Sequence, residues 1–201
     1  MNSRIALTFD DGPSIYTERI LDTLERCGAR ATFYVCGKRI DENKDTLKRA
    51  YDAGHEIGCH TWTHPRLPSL SRDEIHRELT DTNEAIRTVI GVIPKTFRPP
   101  YGAVSDDVTA VAAELGLPVI NWSVDPFDWN NNNPDIIFRD IMSKLHEHAI
   151  ILCHDLYDST ADAMELLVPE LIRKGYELVT VSELMQSSGI TPEPGVVYDN
   201  G

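Results

Sequence analysis

The amino-acid sequence predicts an α/β fold built around a parallel sheet. Four times along the chain, an amphipathic helical stretch ends at a glycine, and a β-prone run follows within one or two residues. Glycine after a helix readily takes the left-handed conformation that lets the chain turn back into a strand. Strands that alternate with helices in this way form parallel αβ units, which argues against an architecture of hairpins.

About seven short strands are expected, separated by helices. The predicted strands cover residues 4–9, 31–35, 55–59, 96–98, 118–122, 149–153 and 176–180. The glycines that end four of the predicted helices are Gly28, Gly54, Gly116 and Gly175. The longest predicted helix, residues 71–90, opens with a capping box formed by Ser71 and Glu74. Its apolar face is assigned to the core and to no chemistry.

The length of 201 residues predicts one domain with a short tail. The alternating pattern runs through residues 1–185 without an internal linker, and the composition of residues 186–201 changes to Ser, Gly and Pro. We therefore expect a single domain over 1–185 and a C-terminal tail over 186–201. The four cysteines contain no C-x-x-C pair, so buried free thiols are expected in place of disulfides or a zinc knuckle.

Composition and charge limit the partners of the chain. Lys and Arg number 19 and Asp and Glu number 32, and the net charge of −13 repels phosphate backbones and anionic lipid headgroups. No stretch approaches the roughly 20 apolar residues of a membrane span. We expect neither nucleic-acid binding nor an integral membrane segment. The chain reaches Asp10 too early for a signal-peptide core, so we expect a cytosolic protein or one whose export segment has been removed.

Reactive side chains follow five of the predicted strands. They are Asp10-Asp11, His60, Arg98, the segment from Asp125 to Trp129, and His154. Parallel strands bring their carboxyl ends to one edge, where the loops of α/β enzymes build active sites. Each residue alone has an ordinary explanation, such as a turn or a core position. Five clusters at five strand ends together predict an active site at this edge.

Asp10 and Asp11 stand where the first strand breaks at Gly12-Pro13. Adjacent strand residues point to opposite faces, so both carboxylates enter one pocket only at such a break. Two crowded carboxylates repel unless a cation separates them, which suggests one metal ligand and one free base. His60 and His64 are four residues apart, which places both imidazoles on one face of a predicted helical turn. Two histidines and one carboxylate leave coordination positions open, as a catalytic zinc site requires.

Hydrolysis of an acyl group also needs a base, an oxyanion site and, for an amine leaving group, an acid. Asp10 is the candidate base, and Arg98 is a cation that would keep it ionised. His154 is the candidate acid, and Asp128 is a carboxylate that would hold it as an imidazolium. The stiff turn after Arg98 is expected to aim a backbone N–H at the oxyanion. Trp129 offers an aromatic face of the kind that stacks on sugar rings.

Five segments that carry these residues occur in a fixed order. They are Thr8-Phe9-Asp10-Asp11-Gly12-Pro13, His60-Thr61-Trp62-Thr63-His64, Arg98-Pro99-Pro100-Tyr101, Asp125-Pro126-Phe127-Asp128-Trp129 and Leu152-Cys153-His154. In combination they resemble the motifs of the polysaccharide deacetylases, carbohydrate esterase family 4. The resemblance extends over roughly residues 4–184. It implies a distorted (β/α) barrel and a divalent metal, usually zinc, with cobalt or another divalent ion as the alternative.

The resemblance implies a role for each matching residue. It implies that Asp10 is the base, oriented by Arg98, and that His154 is the acid, supported by Asp128. The backbone N–H of Tyr101 is the implied oxyanion donor. The implied metal ligands are Asp11, His60 and His64, and the implied substrate contacts are Pro99, Tyr101, Trp129 and Leu152.

The implied activity is metal-dependent removal of N-acetyl groups from N-acetylglucosamine units of a polysaccharide, with the bacterial peptidoglycan deacetylases as the most similar group. A chitooligosaccharide deacetylase and an acetylxylan esterase stay open as alternatives, as does a catalytically silent glycan-binding domain. A non-haem iron oxygenase would leave Asp10, Arg98 and His154 without roles, and a glycosidase would not need the two histidines. The family implies extracellular or cell-surface action, whereas a chain complete as given would be cytoplasmic. We also expect a monomer that binds an N-acetylated glycan.

Overall fold

The computed structural model describes residues 3–201, so Met1 and Asn2 of the expected domain lie outside the described residues. Within this range, seven strands are interleaved with eight α-helices. The strands are β1 Ser3–Asp10, β2 Thr32–Val35, β3 Glu56–Cys59, β4 Val119–Ile120, β5 Ile150–His154, β6 Tyr176–Leu178 and β7 Val197–Tyr198. The helices are α1 Thr17–Arg26, α2 Gly37–Ile40, α3 Lys44–Asp52, α4 Arg72–Ile90, α5 Asp106–Glu114, α6 Pro134–Lys144, α7 Asp158–Arg173 and α8 Val181–Ser187.

Strand β1 is the centre of the sheet. The strand order is β3-β2-β1-β5, and every one of these pairs is parallel. Strand β6 pairs in parallel with the first residues of β1, where Ser3 to Ile5 lie opposite Tyr176 to Leu178. The predicted α/β class with parallel strands is confirmed. The register places the ends of β1 and β5 side by side, with Asp10 opposite His154.

Single-residue bridges close the sheet into a distorted barrel. Phe97 bridges Cys59 at the end of β3 and Val119 in β4, and Val124 bridges Ile151 in β5. The predicted strand over residues 96–98 is therefore wrong in extent, because only Phe97 has strand pairing. The backbones of Thr96 and Arg98 still bond to Cys59 on either side of this bridge, and the pairing ends before Pro99, which cannot donate a backbone hydrogen bond.

Alternation along β1 separates the packing side of the barrel from its interior. Ile5, Leu7 and Phe9 belong to the main hydrophobic core, together with residues of α1 and α7. Ala6, by contrast, packs in a separate cluster inside the barrel. Since side chains alternate along a strand, Asp10 belongs to the same inward row as Ala6. The same alternation places Cys153 of β5 in the main core, and all four cysteines are free thiols.

The C-terminal residues pack on the barrel. Helix α8 ends at Ser187, and β7, which the sequence did not predict, pairs in parallel with β4. The division of the chain at residue 185 stays a prediction. No helix in the described range 3–201 is both long and apolar enough to cross a membrane.

Candidate active site

A cavity of about 440 Å³ opens at the carboxyl ends of the parallel strands. Eight of the residues that the sequence singled out line this cavity: Asp10, Asp11, His60, His64, Tyr101, Trp129, Leu152 and His154. Arg98 and Asp128 are fully buried behind its wall. Pro99 is also buried and does not belong to the lining, so it supports the wall and does not face the cavity.

Asp10 and Asp11 both reach the cavity because β1 ends at Asp10. Asp10 lies on the inward row of the strand and is only 3% exposed. Asp11 has a φ of +76°, so the chain leaves the strand at this residue and turns the second carboxylate toward the same space. The expected break therefore begins one residue before Gly12-Pro13.

The Arg98 guanidinium is held in one position by four hydrogen bonds. It donates to Asp10 Oδ1 at 2.8 Å, to the Thr8 hydroxyl at 2.6 Å, and to the backbone oxygens of Ile120 and Asn121 at 3.0 and 2.7 Å. It also stacks over the Tyr34 ring, 4.2 Å from the ring centroid. A buried guanidinium with all these partners fixes the orientation of the Asp10 carboxylate and leaves Oδ2 directed away from the ion pair.

The segment from His60 to His64 is a loop, so the predicted helical turn is wrong. Thr61 and His64 have φ values of +67° and +62°, which no right-handed helix contains. The loop nevertheless brings the two rings together, with centroids 5.1 Å apart. The spacing identified the correct pair of residues, but the backbone that brings them together is irregular.

Three ligand atoms converge on one point at the bottom of the cavity. His60 Nε2 and His64 Nε2 lie 3.3 and 3.1 Å from Asp11 Oδ1, and no two of the three ligand atoms are more than 4.8 Å apart. His60 Nδ1–H donates to the Arg98 backbone oxygen at 2.7 Å, which leaves the lone pair of Nε2 directed at the cluster. The donor set of two imidazoles and a carboxylate therefore fits a divalent cation of the zinc class.

The electrostatics of this cluster favour positive charge. Burial alone would raise the pKa of Asp11, but the hydrogen bond to His60 and the charges of His60, His64 and His154 hold it well below 3.8. Burial would lower the pKa of His60, yet Asp10 and Asp11 raise it above 6.5. The pKa of His64 is lowered because burial outweighs the charge of Asp11. The Asp11 carboxylate is therefore ionised and available to a cation at the point of convergence.

His154 and Asp128 form a second centre, with His154 at the end of β5 beside Asp10. His154 Nδ1–H donates to Asp128 Oδ1 at 2.7 Å, and the backbone N–H of His154 donates to Oδ2 at 2.7 Å. The Thr160 hydroxyl completes the shell of Oδ2, also at 2.7 Å. Burial alone would lower the pKa of His154, but the hydrogen bond to Asp128 and the charges of Asp128, Asp10 and Asp11 raise it to about 9.

Tyr101 stands at the rim beside the histidine cluster. Its φ of +62° lies within the short 3-10 helix Pro100–Gly102, and its ring packs edge-on against His64 with centroids 4.8 Å apart. The buried prolines before it restrict the backbone, so the orientation of the Tyr101 peptide is set by the turn itself.

A profile of the family described as polysaccharide deacetylase matches residues 2–120. The chain belongs to the polysaccharide deacetylase family. The peptidoglycan-N-acetylglucosamine deacetylase PgdA of Listeria monocytogenes serotype 1/2a is 42% identical over 184 residues, which make up 91% of this chain and 39% of PgdA. The chain thus spans about two fifths of the length of this curated relative.

Solved structures described as a deacetylase and as an acetyl xylan esterase have the same fold. A structure described as T48 deacetylase with substrate matches with a TM-score of 0.93 and 39% identity, covering 98% of this chain and 97% of that one. A family 4 acetyl xylan esterase from Clostridium thermocellum in complex with a cobalt ion matches with a TM-score of 0.92 and 32% identity, covering 98% of each chain.

Four further residues line the cavity although the sequence did not single them out individually: Trp122, Asp125, Phe127 and Tyr157. Asp125 and Phe127 belong to a segment that was recognised as a whole. Trp122 lies two residues after the end of β4, so a search of every strand end would have found it. Tyr157 carries no such signal, because it follows His154 by three residues and reaches the cavity through the path of the loop.

Proposed function

We propose that this domain is a divalent-metal-dependent hydrolase that removes N-acetyl groups from N-acetylglucosamine units of a polysaccharide. The observation that carries the proposal is the division of the cavity into two centres. One centre is a metal-ligand triad beside a separate carboxylate, Asp10. The other centre is His154, whose Nδ1 is hydrogen-bonded to the buried Asp128 carboxylate. Hydrolysis of an amide needs both centres at once.

We propose Asp11, His60 and His64 as the residues that hold the ion, with zinc as the ion and cobalt as its substitute. Such an ion supplies Lewis-acid chemistry, because it polarises the acetyl carbonyl and lowers the pKa of water. The Clostridium thermocellum relative that was solved with cobalt supports a divalent site in this fold.

Asp10 takes the proton from the attacking water in this proposal. Oδ1 is held by Arg98, whereas Oδ2 lies 3.7 Å from His60 Nε2 and thus faces the metal ligands. One oxygen is anchored and the other is available, which is the arrangement that a general base needs. Arg98 acts by orienting this carboxylate.

His154 gives a proton to the departing nitrogen. An amide nitrogen leaves poorly until it is protonated, so the acid must carry its proton at neutral pH. A pKa of about 9 meets this requirement, and the cause is the hydrogen bond to Asp128. Because Nδ1–H is occupied by Asp128, the proton that His154 donates is the one on Nε2.

The remaining wall residues position the acyl group and the sugar. We assign the backbone N–H of Tyr101 to the developing oxyanion. Leu152, which is 4% exposed, offers an apolar surface for the acetyl methyl group. Trp129 is 52% exposed at the rim, where its ring can stack on a sugar. Pro99 contributes by supporting the turn from behind.

We propose peptidoglycan as the polymer, because the Listeria relative is named for that substrate. Chitooligosaccharides and acetylxylan are the alternatives, and the Clostridium thermocellum relative is named as an acetyl xylan esterase. Action at the cell surface follows from the peptidoglycan proposal. A monomeric state stays a prediction.

The decisive experiment measures acetate release from peptidoglycan, N-acetylglucosamine oligomers and acetylxylan in parallel, before and after chelation. We expect release from the first two substrates, loss of release on chelation, and recovery with zinc or cobalt. His60→Ala and His64→Ala should lose both the metal and turnover. Asp10→Asn should lose turnover and keep the metal, and Asp52→Asn, at an exposed carboxylate paired with Lys48, should change neither.

Full activity in a verified metal-free preparation would contradict the proposal. If Asp10→Asn instead emptied the metal site, the roles of Asp10 and Asp11 would have to be exchanged. Glycan binding without any acetate release would favour the catalytically silent domain.

A further inference from the structure

The loop that carries His60 and His64 has an irregular backbone with one internal side-chain hydrogen bond, from the His64 N–H to the Thr61 hydroxyl at 3.1 Å. Two of its five residues, Thr61 and His64, have positive φ, so it makes no regular helical hydrogen bonds. Thr61 is β-branched, and such a residue rarely adopts this conformation unless its surroundings impose it. The position of the two imidazoles therefore depends on groups outside the loop.

Glu78 of α4 supplies the partners that the loop lacks. Its Oε2 accepts hydrogen bonds from the backbone N–H groups of Trp62 and Thr63, both at 2.8 Å. Its Oε1 accepts from the Thr63 hydroxyl at 2.7 Å. Two consecutive backbone N–H groups that share one carboxylate oxygen form a charge-assisted pair, which is stronger and more directional than neutral bonds.

The opposite side of the loop is held by α2. The backbone N–H of Gly37 donates to the Thr61 oxygen at 3.0 Å, and that of Lys38 donates to the Trp62 oxygen at 3.1 Å. Gly37 lies so close to Trp62 that an added Cβ would be 2.1 Å from the indole ring. The loop is thus held between donors from α2, including the exposed Lys38 ammonium at 3.4 Å from the Thr63 oxygen, and the Glu78 carboxylate, which makes the shorter bonds.

We propose that Glu78 is a positioning residue for the metal centre, which it serves by fixing the loop between the two histidine ligands. Glu78 touches neither imidazole and lies on a helix to which the sequence assigned no chemistry. The inference rests on the proposed function for the identity of the site, but its main readout is metal affinity and not turnover.

The test compares Glu78→Ala and Glu78→Gln with the wild-type protein. Zinc affinity is measured by competition with a chromophoric chelator, and the melting temperature of each metal-free protein is recorded beside it. We expect Glu78→Ala to bind zinc about 10- to 100-fold more weakly, the range found when groups that orient metal ligands are removed. Glu78→Gln keeps a carboxamide oxygen that can accept the two N–H bonds, so its affinity should fall between the other two.

Glu84 provides a matched control on the same helix. Its carboxylate accepts two hydrogen bonds from Arg87, at 2.8 and 2.6 Å, so its partner lies on the same helix and not in the histidine loop. Glu84→Ala should therefore leave zinc affinity within about twofold of the wild type. With zinc in large excess, Glu78→Ala should recover most of the wild-type kcat, because the ligands and the acid are intact.

Wild-type zinc affinity in Glu78→Ala would overturn the inference. A second result would also overturn it. If Glu78→Ala and Glu78→Gln lose zinc affinity equally, and the metal-free Glu78→Ala protein melts at a much lower temperature, the cause is general destabilisation. If Glu78→Ala does not fold, the zinc affinity of Glu78→Gln is compared with that of Glu84→Ala, and a weaker affinity in Glu78→Gln supports the inference. Failure of the wild-type protein itself to bind zinc would count against the proposed function, which keeps the two failures distinguishable.

Discussion

His154 and His55 are two largely buried histidines whose pKa values are shifted in opposite directions. His154 ends β5 at the carboxyl edge of the barrel, and its pKa is raised to about 9. His55 precedes β3 at the opposite edge and lines a cavity of about 420 Å³, close in volume to the candidate active site. Burial lowers the pKa of His55 to about 4, and the charges of Arg30 and Arg49 add to this effect.

The difference between the two histidines lies in the group at Nδ1. His154 Nδ1–H donates to the Asp128 carboxylate, whereas His55 Nδ1 accepts a hydrogen bond from the Ala31 N–H at 3.1 Å. A carboxylate stabilises the imidazolium, and an N–H donor requires the neutral ring. Neither cavity volume nor burial therefore identifies the site. The site is identified by the charge state that its surroundings stabilise, which is the imidazolium for His154 and the neutral ring for His55.

The largest expected difference is in turnover. His154→Ala should lower kcat on N-acetylglucosamine oligomers by about 10²-fold or more, the usual contribution of one general acid. On nitrophenyl acetate the loss should be much smaller, because an activated phenolate leaves without protonation. His55→Gln should change kcat on either substrate by less than about twofold. Steady-state kinetics on both substrates make the measurement, and equal losses for His154→Ala on the two would mean that His154 binds or positions and does not donate.

The next difference concerns the pH profile. The acid works only while protonated, so the wild-type kcat/KM on the amide should fall as pH rises through about 9. Asp128→Asn removes the negative charge that holds the proton. The alkaline limb should then move down toward the ordinary value of 6.5, a shift of up to about 2.5 pH units. An alkaline limb unchanged in Asp128→Asn would show that another group supplies the proton.

The smallest expected effect is on stability. The pKa of His55 is about 4 in the folded protein, below its ordinary 6.5, so the unfolded chain binds the proton first as pH falls. The contribution is fully present above pH 6.5 and is lost as pH falls toward 4. Between pH 7 and 5 it amounts to about 2 kcal/mol of the free energy of unfolding.

Urea unfolding of the wild type, His55→Gln and His76→Gln at these two pH values measures this contribution. His55→Gln should lose about 2 kcal/mol less than the wild type on acidification. His76 is exposed on α4, so His76→Gln should behave as the wild type does. Identical pH dependence in all three proteins would mean that His55 is not held neutral by the fold.

Local patterns in the sequence were sufficient for the fold class and for most of the candidate site. Glycine-terminated helices followed by β-prone runs predicted the parallel α/β order, because helix caps and strand periods depend on neighbouring residues. Asp10, His60 and His154 were found at strand ends because parallel strands bring those ends together whatever the details of packing. The pairing of Asp128 with His154 was also expected, although 26 residues separate them.

Packing between distant segments decided what the sequence could not. The irregular loop from His60 to His64 depends on Glu78, which lies 16 residues from Trp62 and shares no local pattern with it. The pairing of Phe97 with both Cys59 and Val119 joins segments that lie far apart in the sequence. The neutral state of His55 reflects its burial and its contact with Ala31. Residue spacing determines which side chains share a face, whereas the distances between faces, and thus hydrogen bonds, burial and pKa values, are set only when the elements pack.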